Sequence, residues 1–226
     1  YKADPLGRLA GTIRWLTVTT FASTKSVAKE AGRVNKMHDH VRGEYTNASG
    51  ETVAYTAADP HLLRWVHIAF MDSFLRCHQT YSTRPLPGGA DAYIRLWSKS
   101  VAPLGLDQVP MSEEELLADL DRFRPELIVT DDTRDVIRWI QNPPLPATSL
   151  PAYRFLFKAA LAALPEDYQD MIGLGRPSLR VIRPVTVNLL KFIRLAIGPE
   201  SPIEEAAIAR LHRAGIMENG QVVRRS

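Results

Sequence analysis

Cysteine occurs once in this 226-residue chain, at Cys77. An internal disulfide is therefore impossible, and zinc sites built on cysteine pairs are excluded. A reducing, cytoplasmic setting is the expectation that follows. Long apolar runs are missing too: no stretch of about 18 uncharged apolar residues is present, so no transmembrane helix is expected. The opening Tyr1-Lys2-Ala3-Asp4-Pro5 has neither a signal-peptide pattern nor an initiating Met, and the natural chain is expected to begin earlier. Charge of one sign is not in large excess, with 28 Lys and Arg against 25 Asp and Glu. A net charge of +3 is too mild to argue for a nucleic-acid partner. There is no phosphate-binding glycine loop, no dinucleotide glycine fingerprint and no nucleophile elbow. Gly173-Leu174-Gly175 follows no strand and is not a phosphate cradle. Internal repeats and low-complexity tracts are absent as well.

What is present is an ordinary globular composition, 45% hydrophobic and 23% charged, with enough apolar residues for a sizeable core. The charge is unevenly spread. Residues 112–135 are rich in Asp and Glu, whereas Arg176, Arg180, Arg183, Lys191 and Arg194 stand in a stretch without acids. That basic stretch reads as a solvated face, or more sharply as a surface for anionic partners or membrane lipid headgroups.

Helical spacing dominates the chain. Asp4-Pro5 starts the first helix, with an apolar stripe of Leu9, Ile13, Leu16 and Thr20 and a mixed stripe of Arg8, Thr12, Trp15 and Thr19. The second helix carries Val27, Ala31, Val34, His38 and Val41 on one face and is expected to end at Gly43. Residues 44–57 suggest a short hairpin or irregular loop. Asp59-Pro60 opens a long helix to about Tyr81, whose expected core face is Leu63, Val66, His67, Phe70, Phe74 and Cys77. Further helices are expected at about 90–102, from the capping box at Ser112 to Phe123, from Thr130 to Gln141, and at 151–164, 166–172, 178–197 and 202–214. The reading is all-α, a single domain over residues 1–226 with about nine or ten helices.

Two histidines, His38 and His67, sit on the apolar sides of consecutive helices. An imidazole in such a place is either a core residue hydrogen-bonded to a carbonyl or a ligand, because burial favours the neutral form that binds iron. His38-Asp39-His40 resembles a metal cluster on paper, but on a helix His40 points roughly 200° away from His38. Arg8 and Thr12 share a face one turn apart, where an Arg pairs with a carboxylate of the protein or of a cofactor.

These stretches together resemble a known family. They are Asp4-Pro-Leu-Gly-Arg-Leu-x-x-Thr12, Met37-His38-x-x-Val41-Arg42-Gly43, and Tyr55-x-Ala57-x-Asp59-Pro60-x-Leu62-Leu63-x-Trp65-Val66-His67, with Asp72-Ser73-Phe74 behind them. The family is that of the rubber oxygenase (latex-clearing protein) and the endoplasmic-reticulum-bound oxygenase of mycophenolic acid biosynthesis, with many bacterial members. The resemblance covers residues 4–75 closely and the remainder only as a helical pattern. It implies a distantly globin-like fold holding haem b, a bacterial source, and oxygenase chemistry with O2 on an apolar, isoprenoid-like substrate. It implies His38 as the iron ligand, Arg8 and Thr12 as cofactor-binding and catalytic residues of the haem pocket, and His67 as a supporting pocket residue. Where latex-clearing proteins place an iron-ligating lysine before the Thr, this chain has Gly11, which implies an open face opposite His38. The family's upstream segment, with its acidic residue, is not in this sequence.

The leading expectation is a haem-dependent oxygenase or oxidase whose partners are O2 and a small apolar substrate, with no nucleic acid and with peripheral membrane contact through the basic stretch. Against it stands a non-catalytic helical module that binds a ligand or partner and whose histidines are structural. A helical DNA-binding regulator ranks last, because no recognition helix with clustered Arg or Lys is evident.

Overall fold

A computed structural model describes residues 5–198, 201–218 and 221–222. The fold is all-α. Ten helices run through the described chain: α1 (Pro5–Phe21), α2 (Thr24–His38), α3 (Pro60–Tyr81), α4 (Gly89–Ser98), α5 (Glu113–Phe123), α6 (Asp131–Gln141), α7 (Leu150–Ala163), α8 (Glu166–Ile172), α9 (Leu179–Ile197) and α10 (Pro202–Arg213). Strands β1 (Arg42–Thr46) and β2 (Thr52–Thr56) form an antiparallel hairpin between α2 and α3. A shorter hairpin, β3 (Met217–Glu218) with β4 (Gln221–Val222), follows α10.

The helix starts follow local chemistry. Asp59 accepts from the His61 backbone N–H at 2.8 Å and Pro60 supplies a fixed φ at the first helical position of α3. At α5, Ser112 Oγ accepts from Glu115 N at 3.2 Å, and Glu115 Oε2 reaches back to Met111 N at 2.7 Å. Thr130 caps α6 through Thr133 N at 3.2 Å. Asp4, the expected cap of α1, lies outside the described residues.

The chain divides into two compact units, one formed by the residues up to Lys36 with those from Phe192 onward, the other by Met37–Lys191. In the first unit, Glu30 of α2 is buried at 4% exposure and paired with Arg14 of α1 at 3.0 Å and with Arg33 at 2.6 Å. Arg210 of α10 donates to the Phe21 carbonyl at 2.8 Å. In the second unit, Ile68, Met71 and Leu75 of α3, Ile94 of α4, and Leu116, Leu120 and Phe123 of α5 make one buried cluster. Each large side chain so buried contributes about 1.5–3 kcal/mol. Arg64 of α3 is clamped to the buried Asp119 of α5, and the Tyr81 hydroxyl donates to the Ala159 carbonyl of α7 at 2.6 Å.

Two expectations are corrected. The second helix does not run to Gly43: it stops at His38, Val41 leads into β1, and Gly43 lies within that strand. The apolar spacing continues across the junction because Val41 is itself half-buried, so periodicity alone cannot mark the change from helix to strand. The core face of α3 is also different. Val66, Phe70 and Phe74 are 49%, 37% and 44% exposed, while the neighbouring arc of Ile68, Met71 and Leu75 is buried. Both arcs are apolar, and which one meets α4 and α5 is a tertiary outcome.

Candidate functional site

The segment from His38 to His67 joins two helices through the first hairpin. At the end of α2, Val41 N donates to the His38 carbonyl and His40 N to the Met37 carbonyl, each at 3.1 Å. Ala57 N then donates to the Val41 carbonyl at 2.9 Å, so the ladder of β1 and β2 extends one pair toward the helices. Gly43 pairs with Tyr55 in that ladder. A Cβ at Gly43 would lie 2.7 Å from Tyr55 Cε1 and 3.0 Å from its Cζ and Oη. The motif glycine is thus required by the Tyr55 ring lying against its backbone, not by a helix stop. Two residues beyond Ala57, Asp59 caps α3, and His67 follows about two turns into that helix.

Both histidines hold a ring nitrogen that is buried and has no hydrogen-bond partner, Nδ1 in His38 and Nε2 in His67. His67 is 7% exposed. Burial, helped by the nearby Arg64 guanidinium, lowers its pKa to about 4. Burial lowers His38 as well, with Asp39 pulling weakly the other way. Both rings are therefore neutral at neutral pH. A buried polar atom without a partner costs about 1–3 kcal/mol. Two other histidines differ: His61 Nε2 meets Glu126 at 2.8 Å and His78 Nε2 meets the Arg84 carbonyl at 2.9 Å. His40 lies in the turn beyond α2 and is exposed.

Arg8 and Thr12 belong to the first unit, on α1. Thr12 is half-buried, and its hydroxyl donates to the Arg8 carbonyl at 3.2 Å. Arg8 is exposed. Around Gly11 a Cβ would meet nothing within 4 Å, so packing does not forbid a longer side chain there.

Among the described residues no three His, Cys, Asp or Glu side chains gather as a metal-binding group. A metal held by protein side chains alone has no cradle there, whereas a macrocycle brings four donors of its own and asks for one imidazole. A neutral, buried, unpartnered imidazole nitrogen is the donor that such a group needs, so the residues present fit haem.

Sequence reasoning found both of these histidines from their places on apolar stripes. It missed the Gly43–Tyr55 contact, whose signal was the presence of both residues in neighbouring motif stretches. It also missed the buried carboxylates Glu30 and Asp119, hinted at only by Arg33 and Arg122 three residues further on.

The described residues make a helical protein in which one ring nitrogen each of His38 and His67 is buried and met by no protein group. The chain belongs to the family described as ER-bound oxygenase mpaB/B'/rubber oxygenase, catalytic domain, which it matches over residues 1–195. It is accordingly an oxygenase-type enzyme that uses O2 on a substrate. No curated protein and no solved structure matches it.

Proposed function

We propose that this oxygenase depends on haem b and acts with O2 on an apolar small-molecule or isoprenoid-like substrate. The observation that carries the reading is the buried, unpartnered Nδ1 of His38 inside the Met-His-x-x-Val-Arg-Gly motif. Haem, when bound, would supply the redox chemistry with O2. His38 would hold the iron through a ring nitrogen that burial keeps unprotonated. Arg8 would pair its guanidinium with a propionate carboxylate, and Thr12 would lend a hydroxyl to the haem pocket. His67 would stay neutral and support the pocket wall. The reading treats residues 1–226 as one functional domain, of which the family match covers residues 1–195.

The remaining assignments are of the same kind. A cytoplasmic protein with no nucleic-acid partner fits the mild charge. Peripheral membrane contact fits α9, where exposed Val181, Val185 and Leu190 accompany Arg180 and Lys191.

The test is an absorption spectrum of the haem-supplemented protein. A Soret band is expected in the wild type and its loss in His38→Ala, and Arg8→Ala is expected to weaken haem binding about tenfold. A wild type without the band, or a His38→Ala protein that keeps it, would overturn the reading. If both histidines are structural, His38→Ala changes stability and nothing else.

A further inference from the structure

Within the second unit, α3, α6, α7 and α8 leave a cavity of about 250 Å³ between them. Its wall includes Ser73 and Cys77 of α3, Ile137 and Ile140 of α6, and Phe157 and Leu161 of α7. The cavity is partly open to solvent, and its wall is almost wholly apolar. The wall offers water little to bond, and a water needs two to four polar partners to stay. The one charged side chain on it, Arg76, is spent on its own helix: its Nε donates to both oxygens of Asp72, at 2.8 and 2.7 Å. Burial raises the pKa of the Cys77 thiol, so that group is uncharged at neutral pH as well. No free charge therefore faces the space.

We infer that this cavity is a binding site for an uncharged hydrocarbon segment. An apolar cavity of about 150 Å³ accommodates benzene; by volume this partly open one accommodates a chain on the order of ten carbons. Neither His38 nor His67 is on its wall. The assignment is therefore independent of haem and goes beyond the proposed reaction.

The chain carries its own reporter, because Cys77 is the sole thiol and sits on the wall. The experiment follows alkylation of the full chain by N-ethylmaleimide with and without 1-decanol. With decanol at ten times its dissociation constant, mass action predicts a slowing of about tenfold. Triethylene glycol, of similar length but polar, is expected to leave the rate unchanged. Ala160→Phe places a ring in the cavity and is expected to abolish the protection, with far-UV circular dichroism confirming the fold. Ala163→Leu is a gentler filling should the first variant not fold. Unchanged alkylation in the wild type with decanol would overturn the proposal, as would equal protection by the glycol or full protection in both filled variants. Protection is expected to persist in His38→Ala, so failure here and failure of the haem reading are told apart.

Discussion

In the first unit Glu30 of α2 is 4% exposed and is held by Arg14 and Arg33; in the second Asp119 of α5 is 3% exposed and is held by Arg64 and Arg122. The clamps are alike, but the apolar cores around them are not. The second unit buries Ile68, Met71, Leu75, Ile94, Leu116, Leu120 and Phe123 together. Among the described residues of the first, the buried apolar side chains are Ala31, Val34 and Ala207. Small side chains bring little transfer free energy. In the first unit the ion pair joins α1 to α2 with little apolar burial around it, and in the second the same device accompanies a larger core. Each arginine is more exposed than the carboxylate it holds, so the two partners are not equivalent. Stripping the arginines leaves a buried charge alone, whereas removing the carboxylate leaves arginines that already reach solvent in part.

That contrast can be broken in several ways. The largest effect is expected from Arg14→Ala combined with Arg33→Ala, about 3–5 kcal/mol for an uncompensated buried carboxylate. Amide exchange should quicken in α1 and α2 and not in α3 and α5; uniform quickening would erase the distinction between the units.

Acid should separate them next. His67 has a pKa of about 4 in the fold against 6.5 otherwise. Above 6.5 both folded and unfolded chains keep it neutral. Between 6.5 and 4 only the unfolded chain takes up the proton, so stability falls as pH falls, by about 3 kcal/mol across the window. Glu30 behaves differently, because its hydrogen bond from Arg33 lowers its pKa below 4.5. Its contribution is present above 4.5 and is lost only below that value. Urea melts over this range should show the first loss in the wild type and not in His67→Leu.

A smaller cost, about 1–3 kcal/mol, is expected for Gly43→Ala, whose methyl group meets the Tyr55 ring. Tyr55→Ala in the same chain should remove most of that penalty, and strictly additive effects in thermal melts would refute the contact. The smallest effect belongs to Phe70→Ala on the exposed arc of α3, expected below about 1 kcal/mol. Leu75→Ala on the buried arc should cost about 2–5 kcal/mol, and similar values for the pair would reverse the assignment of the core face.

Helix starts were legible because their causes are local: Asp59 before Pro60, Ser112 before Glu115, and Thr130 before two aspartates each bond to a backbone within four residues. The junction after His38 was not, since an apolar residue three positions on satisfies a helix and a strand equally. The correct arc of α3 depends on α4 and α5, which no local pattern near residue 70 encodes. At the candidate site the sequence brought out His38 and His67 by periodicity, but not the lack of partners for their nitrogens, a property of everything packed around them. Gly43 was visible as a glycine and not as the floor beneath a ring, because that requires the strand register.

That register bears on how the chain can be altered. The hairpin is closed at its base by Ala57 to Val41 and by the ring over Gly43, while its tip, Asn47 to Glu51, is held by the Asn47 side chain accepting from Ser49 N and Glu51 N. Base and tip are separately fastened. A peptide or fluorophore spliced in at Ala48 and Ser49, both exposed, should therefore leave the approach to both histidine helices undisturbed. The protein thus carries a natural grafting point one strand away from each of the helices that bear His38 and His67.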